Sequence, residues 1–100
     1  MKYHGIEFDS AKIAEFCRHH GIARLSLFGS ILREDFGPDS DIDVLVDFLP
    51  DRTPSLLQLG GMMIELTSLL GRQVDLKTRG FMSRRILDHV LAEAQVQYAA

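Results

Sequence analysis

The chain reads as an α/β (α+β) protein in which helices and short strands alternate, and three observations predict this. Arg24 to Phe28, Ile42 to Phe48 and Gln73 to Lys77 carry the period-two pattern and β-branched content of strands. Between and around them, apolar residues recur at steps of three and four, the spacing of a buried helical stripe. Glycine or proline stands at nearly every change of pattern.

In chain order, Asp9 or Ser10 is positioned to cap a first helix that carries Ile13, Phe16 and Cys17 on one face and stops at Gly21. The strand Arg24 to Phe28 follows. After Gly29-Ser30, residues Ile31 to Asp35 are long enough for a short helix before the loop Phe36-Gly37-Pro38-Asp39-Ser40. Ile42 to Phe48 forms the second strand, broken by Pro50-Asp51-Arg52. Thr53-Pro54 then supplies an N-cap with proline at the first helical position. Leu56, Leu59, Met63, Leu66 and Leu70 make the core stripe of a long helix ended by Gly71, with Met62-Met63 as core filler and Gly60-Gly61 as a point where another backbone passes close. Gln73 to Lys77 is a short third strand. Ser83 caps a last helix bearing Ile86, Leu87, Val90, Leu91 and Ala94, after which Val96-Gln97-Tyr98 either runs extended along a sheet edge or prolongs the helix.

Chemistry concentrates where Gly29-Ser30 is followed, ten residues on, by Asp41-Ile42-Asp43 at the head of Val44-Leu45-Val46. Side chains alternate along a strand, so Asp41 and Asp43 share one face while Ile42, Val44, Val46 and Phe48 point the other way into a core. Two carboxylates side by side repel unless a cation sits between them. Their oxygens suit Mg²⁺, a hard ion usually completed by water and substrate phosphates. Gly29-Ser30 offers a second hold on such a phosphate through backbone N–H groups and a hydroxyl. In the third strand Asp75 points away from Val74 and Leu76, and it joins Asp41 and Asp43 on one surface if this strand lies beside the second. Arg33, one helical turn beyond Ser30, reaches either a phosphate or a carboxylate among Glu34, Asp35 and Asp39. His19 and His20 fall at the end of the first helix as capping or surface residues, with no metal-ligand spacing around them. Cys17, with no basic partner marking it as a nucleophile, is expected to be inert.

Composition bounds the function. One hundred residues with 46% apolar and 25% charged content are expected to form a single domain, residues 1–100, without room for a substantial acceptor-binding module. A single cysteine excludes an internal disulfide framework, no apolar stretch approaches the roughly 20 residues of a membrane span, and the N-terminus lacks an apolar leader, so a cytoplasmic location is expected. A net charge of −3 argues against broad nucleic-acid binding. Basic residues nevertheless cluster at Arg72, Lys77, Arg79, Arg84 and Arg85, as either a solvated face or a contact for triphosphate, RNA or a partner protein.

Gly29-Ser30, ten residues, Asp41-x-Asp43 and the later Asp75 resemble the DNA polymerase β-type nucleotidyltransferase superfamily. Within it, Leu27-Phe28-Gly29-Ser30-Ile31-Leu32-Arg33 and Ser40-Asp41-Ile42-Asp43-Val44-Leu45-Val46 are similar to the minimal nucleotidyltransferases that serve as antitoxins to HEPN-domain ribonuclease toxins. The resemblance implies a polymerase β-like nucleotidyltransferase fold, a small mixed sheet flanked by about four helices. It implies that Asp41 and Asp43 bind metal, that Asp75 completes a catalytic triad and takes the proton of the acceptor hydroxyl, and that Gly29 and Ser30 bind the triphosphate, beside which Arg33 is the further candidate nucleotide-binding residue. Relatives commonly carry a small residue before the arginine and a glycine after it, where this chain has Leu32 and Glu34, a departure that bears on nucleotide affinity and base choice.

The implied reaction uses two Mg²⁺ ions and ATP, and transfers AMP to a hydroxyl, a tyrosine by family analogy, of a HEPN-family toxin. The implied assembly is a hetero-oligomer with that toxin, or a homodimer of the chain alone. A non-catalytic antitoxin that covers its partner's active site is the competing reading. Transfer to a small molecule such as an aminoglycoside, or nucleic-acid polymerisation, would call for substrate- or primer-binding modules for which the chain has no candidate segment.

Overall fold

The computed structural model describes residues 2–100. A two-residue hairpin, β1 (Lys2–Tyr3) and β2 (Ile6–Glu7), precedes α1 (Ser10–His20), β3 (Ile22–Phe28), β4 (Ile42–Phe48), α2 (Leu56–Leu70), β5 (Val74–Lys77), α3 (Arg84–Glu93) and β6 (Gln95–Ala99). Four strands form one mixed sheet in the order β5-β4-β3-β6. β3 is antiparallel to both neighbours, and β4 and β5 are parallel. A parallel pair needs a crossover, and α2 provides it.

The caps explain where the helices begin and end. Asp9 accepts hydrogen bonds from the N–H groups of Ala11 and Lys12 at 3.0 and 3.2 Å, and Gly21 closes α1 in the left-handed conformation. At α2 the expected cap is displaced: Ser55, not Thr53, is the N-cap. Its hydroxyl accepts from Gln58 N–H at 3.1 Å, and the Gln58 side chain accepts from Ser55 N–H at 2.8 Å, a reciprocal capping box that outcompetes proline at the first position. The buried stripe differs from expectation as well. Met62, Leu66 and Leu70 are buried and Leu59 packs against them, whereas Leu56 is 72% exposed. The expected close approach at Gly60-Gly61 is absent, since nothing lies within 4 Å of a Cβ placed on either glycine. Ser83 caps α3 as expected, accepting from Ile86 N–H.

Two apolar clusters hold the sheet. The larger joins α1, α2 and one face: Ile13, Phe16, Cys17, Leu25, Leu27, Ile42, Val44, Val46, Met62, Leu66 and Val74 are all buried in it. The smaller lies on the opposite face, where Val90 and Leu87 of α3 pack with Phe28, Leu45 and Met82. Burial pushes the Cys17 thiol up to about 12, so thiolate is scarce at neutral pH and the residue is inert, as its setting in α1 predicts. His20 is more than a surface residue. Its ring packs at a tilt against Phe16, with centroids 4.7 Å apart, and reaches Glu65 of α2 at 3.2 Å, tying the two helices together.

The expected short helix Ile31 to Asp35 is instead a 3₁₀ turn over Gly29–Leu32, followed by extended backbone at Arg33. The described residues therefore hold three α-helices rather than about four, with this 3₁₀ turn in place of the expected short helix and a second 3₁₀ turn at Arg79–Phe81. Val96-Gln97-Tyr98 takes the extended alternative, pairing with β3 as an edge strand. Among the described residues no helix is long and apolar enough to cross a membrane.

Candidate active site

The spacing between Gly29-Ser30 and Asp41-Ile42-Asp43 becomes geometry through strand register. β3 and β4 pair so that Phe28 faces Asp43. The chain leaves the sheet at Phe28, makes the 3₁₀ turn and a loop, and returns beside its point of departure. Gly29 consequently sits against Asp43. Its φ is +77°, and a Cβ there would overlap the Asp43 carboxylate oxygen and stand 3.2 Å from its Cγ. Only glycine satisfies both the left-handed backbone and this approach.

β4 and β5 run parallel with Asp43 paired to Asp75 and Val44 to Leu76. Partners in register point to the same face, so the condition on which Asp75 depended is met: it joins Asp43 on one surface. Asp41 lies one residue before β4 and is exposed. The Asp43 carboxyl is held above the usual carboxylate range, first by burial and then by the charge of Asp75, with Asp41 adding to it and Lys77 and Arg33 opposing. The three aspartates are thus within electrostatic reach of one another. They do not yet converge on one point. Among the described residues no three His, Cys, Asp or Glu side chains stand close enough to hold an ion as they are. Asp75 is turned to Lys77, whose Nζ lies 3.1 and 3.3 Å from its two carboxylate oxygens.

The donor set nonetheless suits a hard divalent cation. It consists of carboxylate oxygens alone, and the cost of ionising Asp43 beside Asp75 and Asp41 is the cost such a cation relieves. Opposite them, the Ser30 hydroxyl makes no hydrogen bond among the described residues, and Arg33 is half exposed, 3.5 Å from Asp35 and 3.9 Å from Glu93.

Several supporting residues had no local sequence signal. Phe36, in the loop between the turn and β4, is buried under the Arg72 guanidinium, 4.6 Å above its ring, and is stacked by His4 with centroids 4.8 Å apart. Arg72 also donates to Gly37 O, and His4 Nε2 lies 3.1 Å from Ile31 O. Gly37 N–H donates to the Ser40 hydroxyl at 3.0 Å. Together they fix the loop that sets the distance from turn to carboxylates. Of the basic cluster, Arg79 binds Asp47 through two hydrogen bonds of 2.6 and 3.2 Å, Lys77 holds Asp75 and Arg72 holds the loop, while Arg84 and Arg85 are exposed. A cleft of about 470 Å³ between α1 and α2, lined by His19, His20, Arg52 and Glu65 among others, includes none of Asp41, Asp43 and Asp75 and none of the turn residues.

A protein-family model described as a nucleotidyltransferase domain matches residues 10–96, spanning the turn, all three aspartates and the helices that support them. The chain belongs to the nucleotidyltransferase domain family. This nucleotidyltransferase is 37% identical over 79 residues to protein adenylyltransferase MntA of Thermococcus cleftensis, covering 79% of this chain and 78% of that protein. It is 39% identical over 83 residues to a candidate protein adenylyltransferase of Methanocaldococcus jannaschii, covering 83% and 87%. These likenesses make it a minimal nucleotidyltransferase of the protein-adenylyltransferase kind. In structure, a candidate minimal nucleotidyltransferase matches with a TM-score of 0.72 at 35% identity over 86% of each chain. A toxin–antitoxin complex with AMP-PNP matches with a TM-score of 0.75 at 22% identity, over 93% of this chain and 75% of that one. A tri-AMPylated Shewanella oneidensis HEPN toxin in complex with an MNT antitoxin matches with a TM-score of 0.67 at 22% identity, over 91% and 70%. The last two bear on the fold alone. The polymerase β-like nucleotidyltransferase fold expected from the sequence is the fold observed, a mixed four-stranded sheet with three α-helices.

Proposed function

We propose that this chain, as a single catalytic unit in the cytoplasm, is an Mg²⁺-dependent adenylyltransferase that transfers AMP from ATP to a tyrosine hydroxyl of a HEPN-family toxin, and so acts as that toxin's antitoxin. The observation that carries the reading is the glycine turn closed against Asp43, itself in register with Asp75. Relatives named protein adenylyltransferases support a protein acceptor.

In this reading Gly29, Ser30 and Arg33 bind the triphosphate, and Asp41, Asp43 and Asp75 hold the metal. Two bound Mg²⁺ ions would supply neutralisation of the phosphate charge. The turn holds ATP so that its α-phosphorus faces the incoming hydroxyl, turning a bimolecular encounter into an oriented one. Asp75 releases Lys77 and accepts the tyrosine proton as the tyrosine oxygen bonds to the α-phosphorus. The bond from that phosphorus to the β-bridging oxygen breaks, and pyrophosphate leaves. The adenylate adds a negative charge to the toxin and thereby disables it. Ile86 and Leu91 of α3 and Val96 of β6 are 56%, 40% and 53% exposed, an apolar area suited to a hetero-oligomer, or to a homodimer when the chain is alone. The same surface also favours the second reading, neutralisation by covering alone.

The test is label transfer. With purified partner, Mg²⁺ and ATP labelled at the α-phosphate, the partner should become labelled, and ATP labelled at the γ-phosphate should leave it unlabelled. Label arriving from the γ position would mean phosphoryl transfer and would contradict the reading.

A further inference from the structure

Gly29 is gripped from two sides. Its Cα lies against Asp43, and its N–H donates to Oε1 of Glu93 at 3.0 Å, across 64 residues of sequence. The other oxygen of Glu93 lies 3.9 Å from the Arg33 guanidinium. Glu93 is the last residue of α3, its side chain 28% exposed, and α3 is fixed to the sheet beside the turn by Val90 and Leu87 against Phe28 and Leu45. The first N–H groups of a helical turn have no partner within the turn. Here the first of them is taken by a charged acceptor on a separate, anchored element, and a hydrogen bond to a charged group is among the stronger kinds.

We infer that Glu93 is a positioning residue of the nucleotide site: it holds the Gly29-Ser30 turn against Asp43 and steers Arg33. The inference rests on the proposed nucleotide-binding role of the turn. The contact makes α3 part of the site, although neither its sequence nor its helical stripe marks Glu93. It also connects the turn to the helix that carries exposed Ile86 and Leu91.

Glu93→Ala should raise the KM for ATP roughly tenfold, the scale of one lost charge-assisted hydrogen bond, with kcat at saturating ATP within about twofold of the parent. Glu93→Gln, whose amide oxygen can still accept from Gly29, should recover most of the affinity. A merely structural role would lower the melting temperature of both variants without this split. Equal or tighter ATP binding by Glu93→Ala would overturn the inference, tighter binding meaning that Glu93 occupies the place of a phosphate. Hydrogen exchange at the Gly29 amide is read without nucleotide: it should accelerate in Glu93→Ala and remain slow in Glu93→Gln. Unchanged exchange would overturn the grip itself, whereas accelerated exchange in a chain that binds no ATP would count against the proposed function instead.

Discussion

Asp43→Asn is expected to abolish AMP transfer, by on the order of 10³-fold or more, while leaving partner binding intact and making the free protein more stable at neutral pH. The two effects have one origin. Asp43 is ionised at a cost, because burial and then the Asp75 charge hold its carboxyl above the usual range. A group whose pKa is raised by folding contributes stability at pH values below its unfolded pKa, and that contribution is lost as the pH rises through the folded value. The isosteric amide avoids the loss. Thermal melts of parent and variant without Mg²⁺ should therefore diverge as pH rises from ~4 towards 7, with the variant melting higher, and Mg²⁺ should stabilise the parent alone. The same variant separates the two routes to neutralisation. If Asp43→Asn binds the toxin and no longer silences it, the protection is catalytic; full silencing would favour covering.

Gly29→Ala should be nearly as damaging to transfer, with a stability cost as well. The left-handed backbone penalises alanine by roughly 1–2 kcal/mol. The added methyl also meets the Asp43 carboxylate and must push it or the turn out of register. Transfer should fall by at least about 10²-fold, as expected for a misplacement on the order of 1 Å. The melting temperature should drop by roughly 4–8 °C for each kcal/mol lost. Gly71→Ala is the control. Gly71 has φ +72° with nothing within 4 Å of a Cβ placed on it, so its substitution carries the backbone penalty and leaves the site alone. Comparable melting losses with transfer retained in Gly71→Ala and lost in Gly29→Ala would isolate the contact with Asp43. Retained transfer in both would contradict it.

How much of this is legible in the sequence depends on distance along the chain. Asp9, Gly21, Gly71 and Ser83 act within a turn of themselves, and each does what its residue type predicts. The cap of α2 departs from expectation although its signal is also local: Ser55 and Gln58 form a reciprocal pair, and the Thr53-Pro54 pattern draws the expected start two residues too early. In the stripe Met62 is buried where Met63 is expected, because packing against α1 and the sheet, not spacing, chooses between adjacent methionines. The carboxylate face of β4 follows from alternation alone. Asp75 needs the pairing of β5 with β4, which alternation cannot supply, so the sequence yields it only conditionally. Phe36 with Arg72 and His4, and Gly29 with Glu93, are contacts between segments tens of residues apart, fixed by the arrangement of α3, β5 and the N-terminal hairpin. Nothing in the local pattern around any of them sets it apart. The motif thus exposes the chemical groups, and the residues that aim them emerge only from the fold.

The central claim is that this turn and these aspartates move AMP onto a protein partner. Its most direct test is the intact mass of a purified HEPN-family toxin after incubation with this chain, ATP and Mg²⁺, read beside the toxin's ribonuclease activity. The expected result is one or more adenylate increments, localised to tyrosine and appearing as ribonuclease activity is lost. An unshifted toxin in a complex that remains intact would contradict the account.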